Sequence, residues 1–139
     1  MKRTANRREM GRKELKMIFK RHGYDDFKWI DPKSIVVAQW ARMKCTFGCK
    51  NYWKCGTCPS NTPSVSECKE FFQGYKTGVV FHFTKTVHRP EDRFAWTRKV
   101  NSKLLKLERE VFLSGFYKAF LLFMDSCNLC ASCSGVRQL

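Results

Sequence analysis

Eight cysteines gathered in two groups set the terms on which this chain folds. The first group reads Cys45-x3-Cys49-x5-Cys55-x2-Cys58-x9-Cys68 and the second Cys127-x2-Cys130-x2-Cys133; residues 69–126 carry no cysteine. Three thiols at x2 spacing match the first three ligands of the bacterial ferredoxin run, in which one loop wraps a cubane and a distant fourth cysteine completes it. In that run the fourth cysteine would fall at the position held by Arg137. A fourth ligand for Cys127, Cys130 and Cys133 must therefore come from the first group, a partner, water or substrate, or further chain. The eight thiols equal the ligand count of two cubanes, so one or two 4Fe-4S clusters are permitted. The alternative is zinc, which takes four tetrahedral thiolates at similar spacing but usually as two Cys-x2-Cys knuckles. The crowded triplet favours iron–sulfur over zinc, and free buried thiols come third. Cys55-Gly56-Thr57-Cys58 also resembles a thiol–disulfide motif. That chemistry needs the first cysteine at a helix N-terminus, and Pro59 directly behind the second argues against it.

The compartment follows from the flanks. Met1-Lys2-Arg3-Thr4-Ala5-Asn6-Arg7-Arg8 has no apolar stretch or small-residue cleavage site, so a reducing cytoplasm is the expectation, where clustered thiols bind metal rather than pair as disulfides. No apolar run approaches the ~20 residues that cross a bilayer, and no membrane partner is expected. With 139 residues, 43% hydrophobic and 14% aromatic, the chain can bury a single core, which excludes intrinsic disorder.

The charge is uneven. Of 27 Lys+Arg against 12 Asp+Glu, nine basic residues lie in 1–21, so this arm carries about half of the formal +15. Leu15, Ile18 and Phe19 at helical spacing, stopped by His22-Gly23, make residues 1–23 a basic amphipathic helix. It offers electrostatic attachment to nucleic acid or an acidic partner, although a solvated helix face is the simpler reading. Residues 24–139 form the cysteine-rich metal-binding domain.

Within that domain, Ser34–Trp40 is β-branched and apolar and reads as a strand that delivers the chain to Cys45, with Trp40 in the core. Residues 45–61 read as a loop whose Gly48, Gly56 and Pro59 form turns, with backbone N–H groups available to sulfur. Thr62 or Ser64 caps a helix, the latter through a capping box with Glu67, and Val65, Cys68, Phe72 and Tyr75 share one face. Val79–Thr84 reads as a strand and 91–117 as a helix, with Val100, Leu104, Leu107 and Val111 on its apolar stripe. Lys118–Met124 reads as a further strand ending at the second cysteine loop. This order implies an α/β fold, a small single domain with βαβ crossovers and two cysteine-rich metal-binding loops at strand ends.

The histidines carry less. His22 reads as a helix end, His82 as a hydrogen-bonded structural residue and His88 as a loop residue; none is assigned as a ligand. Glu108 and Glu110 are two apart on a helix and face different directions. No catalytic constellation is identified, so enzyme activity stays open: a non-enzyme on its own is the favoured reading, and an enzyme using a cluster with an open iron site is the other.

Four linked segments carry a family resemblance: Trp40-Ala41-Arg42-Met43-Lys44-Cys45 with Gly48-Cys49 and Asn51-Tyr52; Cys58-Pro59-Ser60-Asn61-Thr62-Pro63-Ser64-Val65; Leu107 through Phe120; and the triplet Cys127, Cys130, Cys133. Together they resemble the prokaryotic predicted metal-binding protein family, a cysteine-rich domain of unknown function. The resemblance implies cysteine-bound metal, most plausibly iron–sulfur. By motif position it implies Cys45, Cys49, Cys58 and Cys68 for one centre and the triplet for another, with Cys55 outside the family pattern as an alternative ligand. It also implies a Cys-containing segment beyond the triplet, by which standard this chain is C-terminally shortened. The expected role is electron transfer, or an accessory part of a redox or methyl-transfer assembly with a larger partner protein. The alternative is a structural-zinc module that contacts nucleic acid through residues 1–21.

Overall fold

In the longest helix, apolar and small polar side chains recur every three or four residues, and it is this stripe that is buried. The computed structural model describes the backbone of residues 2–125, 127–130 and 132–135 and the side chains from residue 11 onward. Its elements are α1 (Lys2–Arg21), β1 (Phe27–Ile30), a 3-10 turn Pro32–Ser34, α2 (Gln39–Gly48), a 3-10 turn Pro59–Asn61, α3 (Val65–Gln73), β2 (Gly78–Phe81) and α4 (Pro90–Leu113). The class is mixed α/β. Its contacts divide it into two compact units, Met1–Phe27 with Phe81–Met124, and Lys28–Val80 with Asp125–Leu139.

The first unit is built on α1 and α4. Pro90 starts α4 at a position where its missing N–H costs nothing, and Glu91 and Asp92 complement the helix dipole. Its buried face is Thr97, Asn101, Leu104, Leu107 and Val111. Among the described side chains of α1, Ile18 and Phe19 are buried. Phe19 meets Phe27 and Phe81 edge-on, at centroid distances of 5.2 and 4.9 Å, a geometry that aromatic quadrupoles favour. The buried polar residues bond within the chain: Thr97 donates to the Phe94 carbonyl and the Asn101 amide donates to the Met124 carbonyl, each at 3.2 Å. At the helix ends the Glu110 carboxylate accepts from Arg21 and pairs with His22 at 2.6 Å. Gly23, with φ of 78°, turns the chain out of α1 where another residue would be strained.

In the second unit, Lys28–Ile30 of β1 lies beside Gly78–Val80 of β2. A Cβ at Gly78 would stand 2.9 Å from Ile30 Cγ1 and 3.3 Å from Pro32 Cγ, so the close approach requires glycine. The capping box of α3 forms as expected, Ser64 accepting from the Glu67 N–H and the Glu67 side chain accepting from the Ser64 N–H. Val65, Cys68, Phe72 and Tyr75 are its half-buried face.

Several expectations are corrected. The two strands run antiparallel, with Ile30 beside Gly78 and the His82 N–H donating to the Asp26 carbonyl, so the sheet contains no βαβ crossover. Residues 34–40 form no strand. Ile35 and Ala38 keep extended backbone, but they have no ladder partner, and α2 starts at Gln39. Trp40 is 59% exposed rather than core. Residues 45–48 are the last turn of α2, not loop. Residues 118–124 form no strand either: the Leu121 N–H donates to the Glu108 carboxylate at 2.8 Å, which takes the place of a ladder bond. The helix expected over 91–117 stops at Leu113, before Gly115 with φ of 95°. β1 was not expected, although Phe27-Lys28-Trp29-Ile30 has strand composition.

Candidate metal centre

The second unit brings parts of the two cysteine groups together. Residues 51–58 form a series of tight turns, with the Tyr52 N–H donating to Cys49, Lys54 to Asn51 and Cys58 to Cys55 carbonyls. Trp53 holds φ of 73°, and Asp125, at the entrance to the triplet loop, holds φ of 66°. Left-handed backbone at such residues is costly and persists only where the surroundings fix it; it gathers at functional sites.

The two loops are tied by polar contacts. The Gly56 N–H donates to Cys133 Sγ at 3.4 Å. One Asn61 side-chain amide donates to the Cys55 carbonyl at 3.2 Å and to the Gly135 carbonyl at 2.9 Å. Gly135, with φ of 76°, lies against the Trp53 and Lys54 carbonyls. Arg42 of α2 supports the arrangement from behind, donating to the Pro59 carbonyl and, at 2.6 Å, to that of Pro63.

The thiols themselves are coupled. Cys55 and Cys133 lie near each other, each bearing on the other's protonation. Desolvation first, then the nearby Cys58, Cys133 and Cys127, push the Cys55 thiol up from its ordinary value. Cys133 moves the other way, because the Gly56 and Gly135 N–H groups and the Cys55 thiol stabilise its thiolate. Backbone donors aimed at sulfur are the outer contacts that tune thiolate-bound metal.

The remaining candidates are placed differently. Cys58 donates to the Asn51 carbonyl at 3.7 Å, and Cys68, on α3, to the Pro63 carbonyl at 3.8 Å. Cys45 lies on α2 and Cys49 caps it, the Cys49 N–H donating to the Cys45 carbonyl. None of Cys45, Cys49 and Cys68 is among the thiols that act on Cys55. Cys130 lies in the triplet loop and is exposed. Among the described residues no group of three or more His, Cys, Asp or Glu side chains is already gathered at coordination geometry. An all-thiol donor set with amide donors on sulfur fits a thiophilic metal in its chemistry, and binding would draw the sulfurs inward.

Two of the three histidines pair with carboxylates: His82 Nδ1 with Asp26 and His22 with Glu110, each at 2.6 Å. Gly56 was anticipated as a turn with an amide available to sulfur. Asn61, Gly135 and Arg42 were not, since their roles depend on a loop distant in sequence.

No helix among the described residues is long and apolar enough to cross a membrane. Residues 28–138 match the family described as predicted metal-binding protein (DUF2284). No curated protein and no solved structure matches the chain.

Proposed function

The chain belongs to this predicted metal-binding protein family, and from that premise we propose that it holds an iron–sulfur cluster through cysteine thiolates and acts in electron transfer, or as an accessory component of a redox or methyl-transfer assembly. The observation that carries this reading is the meeting of Cys55 and Cys133, with the Gly56 N–H on the Cys133 sulfur. A bound cluster supplies one-electron chemistry. The thiols hold it as thiolates, and the amides of residues 56 and 135 stabilise sulfur charge in either oxidation state. The triplet spacing, three thiols within one short loop, favours iron–sulfur over zinc. A larger protein partner in the reducing cytoplasm would exchange electrons with it.

Anaerobic metal and acid-labile sulfide analysis tests the proposal. The expected protein is brown, with a shoulder near ~400 nm that bleaches on reduction, as for thiolate-bound iron. Stoichiometric zinc without sulfide would end the iron–sulfur reading.

One observation favours a second reading. Cys55-x2-Cys58 facing thiols of another loop is also how zinc knuckles are built. In that case the chain is a structural-zinc module whose basic residues 1–21 bind nucleic acid. Binding to a generic duplex should then weaken steeply as salt rises, and a flat salt response rejects it.

A further inference from the structure

We propose that Cys55 is the fourth ligand that completes the centre of Cys127, Cys130 and Cys133, an assignment that rests on the metal-binding reading above. Spacing leaves this ligand open, and family resemblance puts Cys55 outside the common pattern.

Three observations select Cys55. First, its thiol lies near those of Cys133 and Cys127, and the N–H of the adjoining Gly56 reaches the Cys133 sulfur at 3.4 Å. Second, the loop that carries Cys55 is fastened to the far end of the triplet loop. Asn61 bridges the carbonyls of Cys55 and Gly135, and the N–H next to Cys55 in sequence, that of Gly56, reaches the Cys133 sulfur. Third, Cys58, the neighbouring thiol of the same motif, donates to the Asn51 carbonyl within its own loop, whereas the contacts that tie the two loops fall at Cys55, Gly56 and Asn61. Binding would draw Cys55 onto a metal held by the triplet. Each of the four thiols loses its proton as it binds, so loading releases protons to solvent.

The test uses the full chain, loaded anaerobically, with iodoacetamide as the probe and peptide mass spectrometry to locate alkylated thiols. In the unmodified chain Cys55 and the triplet should be protected together. In Cys55→Ala the triplet should become alkylated, and bound metal should be lost to a chelator at least about tenfold more readily, the scale on which even outer-shell partners act. In Cys58→Ala the triplet should stay protected. A triplet that stays protected in Cys55→Ala, or that opens only in Cys58→Ala, overturns the assignment. If far-UV circular dichroism shows that Cys55→Ala has lost its helices, the protection of Cys55 in the unmodified chain decides instead, and free alkylation of Cys55 beside a protected triplet overturns the proposal. Zinc in place of iron and sulfide would defeat the iron–sulfur reading alone, because the alkylation pattern reports ligands whatever the metal. A triplet left unprotected in the metal-loaded unmodified chain also overturns the assignment.

Discussion

At the scale of single residues, the neighbouring thiols of Cys55 and Cys133 should titrate in opposite directions. Amide donors hold the Cys133 thiolate, while desolvation and neighbouring thiols disfavour that of Cys55. In the metal-free, reduced protein the pH profile of alkylation at Cys133 should rise below the ordinary thiol range of about 8.5, and that of Cys55 above it. Coincident profiles would remove the inferred contact. Gly135 sustains it by adopting φ of 76° without strain; Gly135→Ala should cost about 1–2 kcal/mol locally and bring the Cys133 profile back toward that of an ordinary thiol. The cysteine spacing pointed to thiol-bound metal and left the fourth ligand of the triplet open. It could not reveal which thiol of the first group approaches the second, because that depends on Asn61 bridging two loops more than seventy residues apart in sequence.

At the scale of elements, what could be read in sequence is what local chemistry decides. The Ser64/Glu67 box, the stop at Gly23 and the stripe Leu104, Leu107 and Val111 all appear in the structure. Ile35-Val36-Val37 and the run 118–124 failed for a common reason: strand composition yields a strand only where another strand supplies the ladder, and neither segment meets one. Val36 is 82% exposed, so its β-branched side chain packs on nothing that would hold a sheet. Where the helices do pack, truncation should be costly. Leu107 is 3% exposed, and Leu107→Ala should lower unfolding stability by about 2–5 kcal/mol in urea titration. The ends of α1 and α4 add a pH-dependent tie. Hydrogen bonds from Arg21 and then His22 hold the Glu110 carboxyl below its ordinary range. A depressed carboxylate contributes stability that is present above its unfolded value, about 4.3, and is lost as pH falls through the lower folded value. Glu110→Gln should therefore lower the melting temperature at neutral pH and leave less acid sensitivity below about pH 4.3; an unchanged acid limb would show that the tie does not bear on stability.

At the scale of the whole molecule, the two units differ in what holds them. Among the described residues, the buried core side chains Ile18, Phe19, Leu104, Leu107 and Val111 belong to the unit of α1 and α4, whereas the second unit buries Pro32 and its helices α2 and α3 contribute no fully buried residue. The second unit instead holds all eight cysteines, and its loops are joined by single hydrogen bonds that water competes for. A metal bound by those thiols would cross-link the loops. A ligand that binds only the folded form stabilises it by about 2.7 kcal/mol at a concentration one hundred times its dissociation constant, and four thiolates around Zn²⁺ or an oxidised cubane leave about −2 at the site, against the formal +15 of the chain. Chelation under reducing conditions should therefore act unequally. In hydrogen exchange followed by mass spectrometry, protection across residues 49–61 and 127–135 should fall sharply on metal removal, while the amides of α4 around Leu104 and Leu107, whose protection comes from apolar burial, should change little. Equal loss in both regions would mean that metal supports the first unit as well, and unchanged exchange at 49–61 would mean that the loops are held by their hydrogen bonds alone.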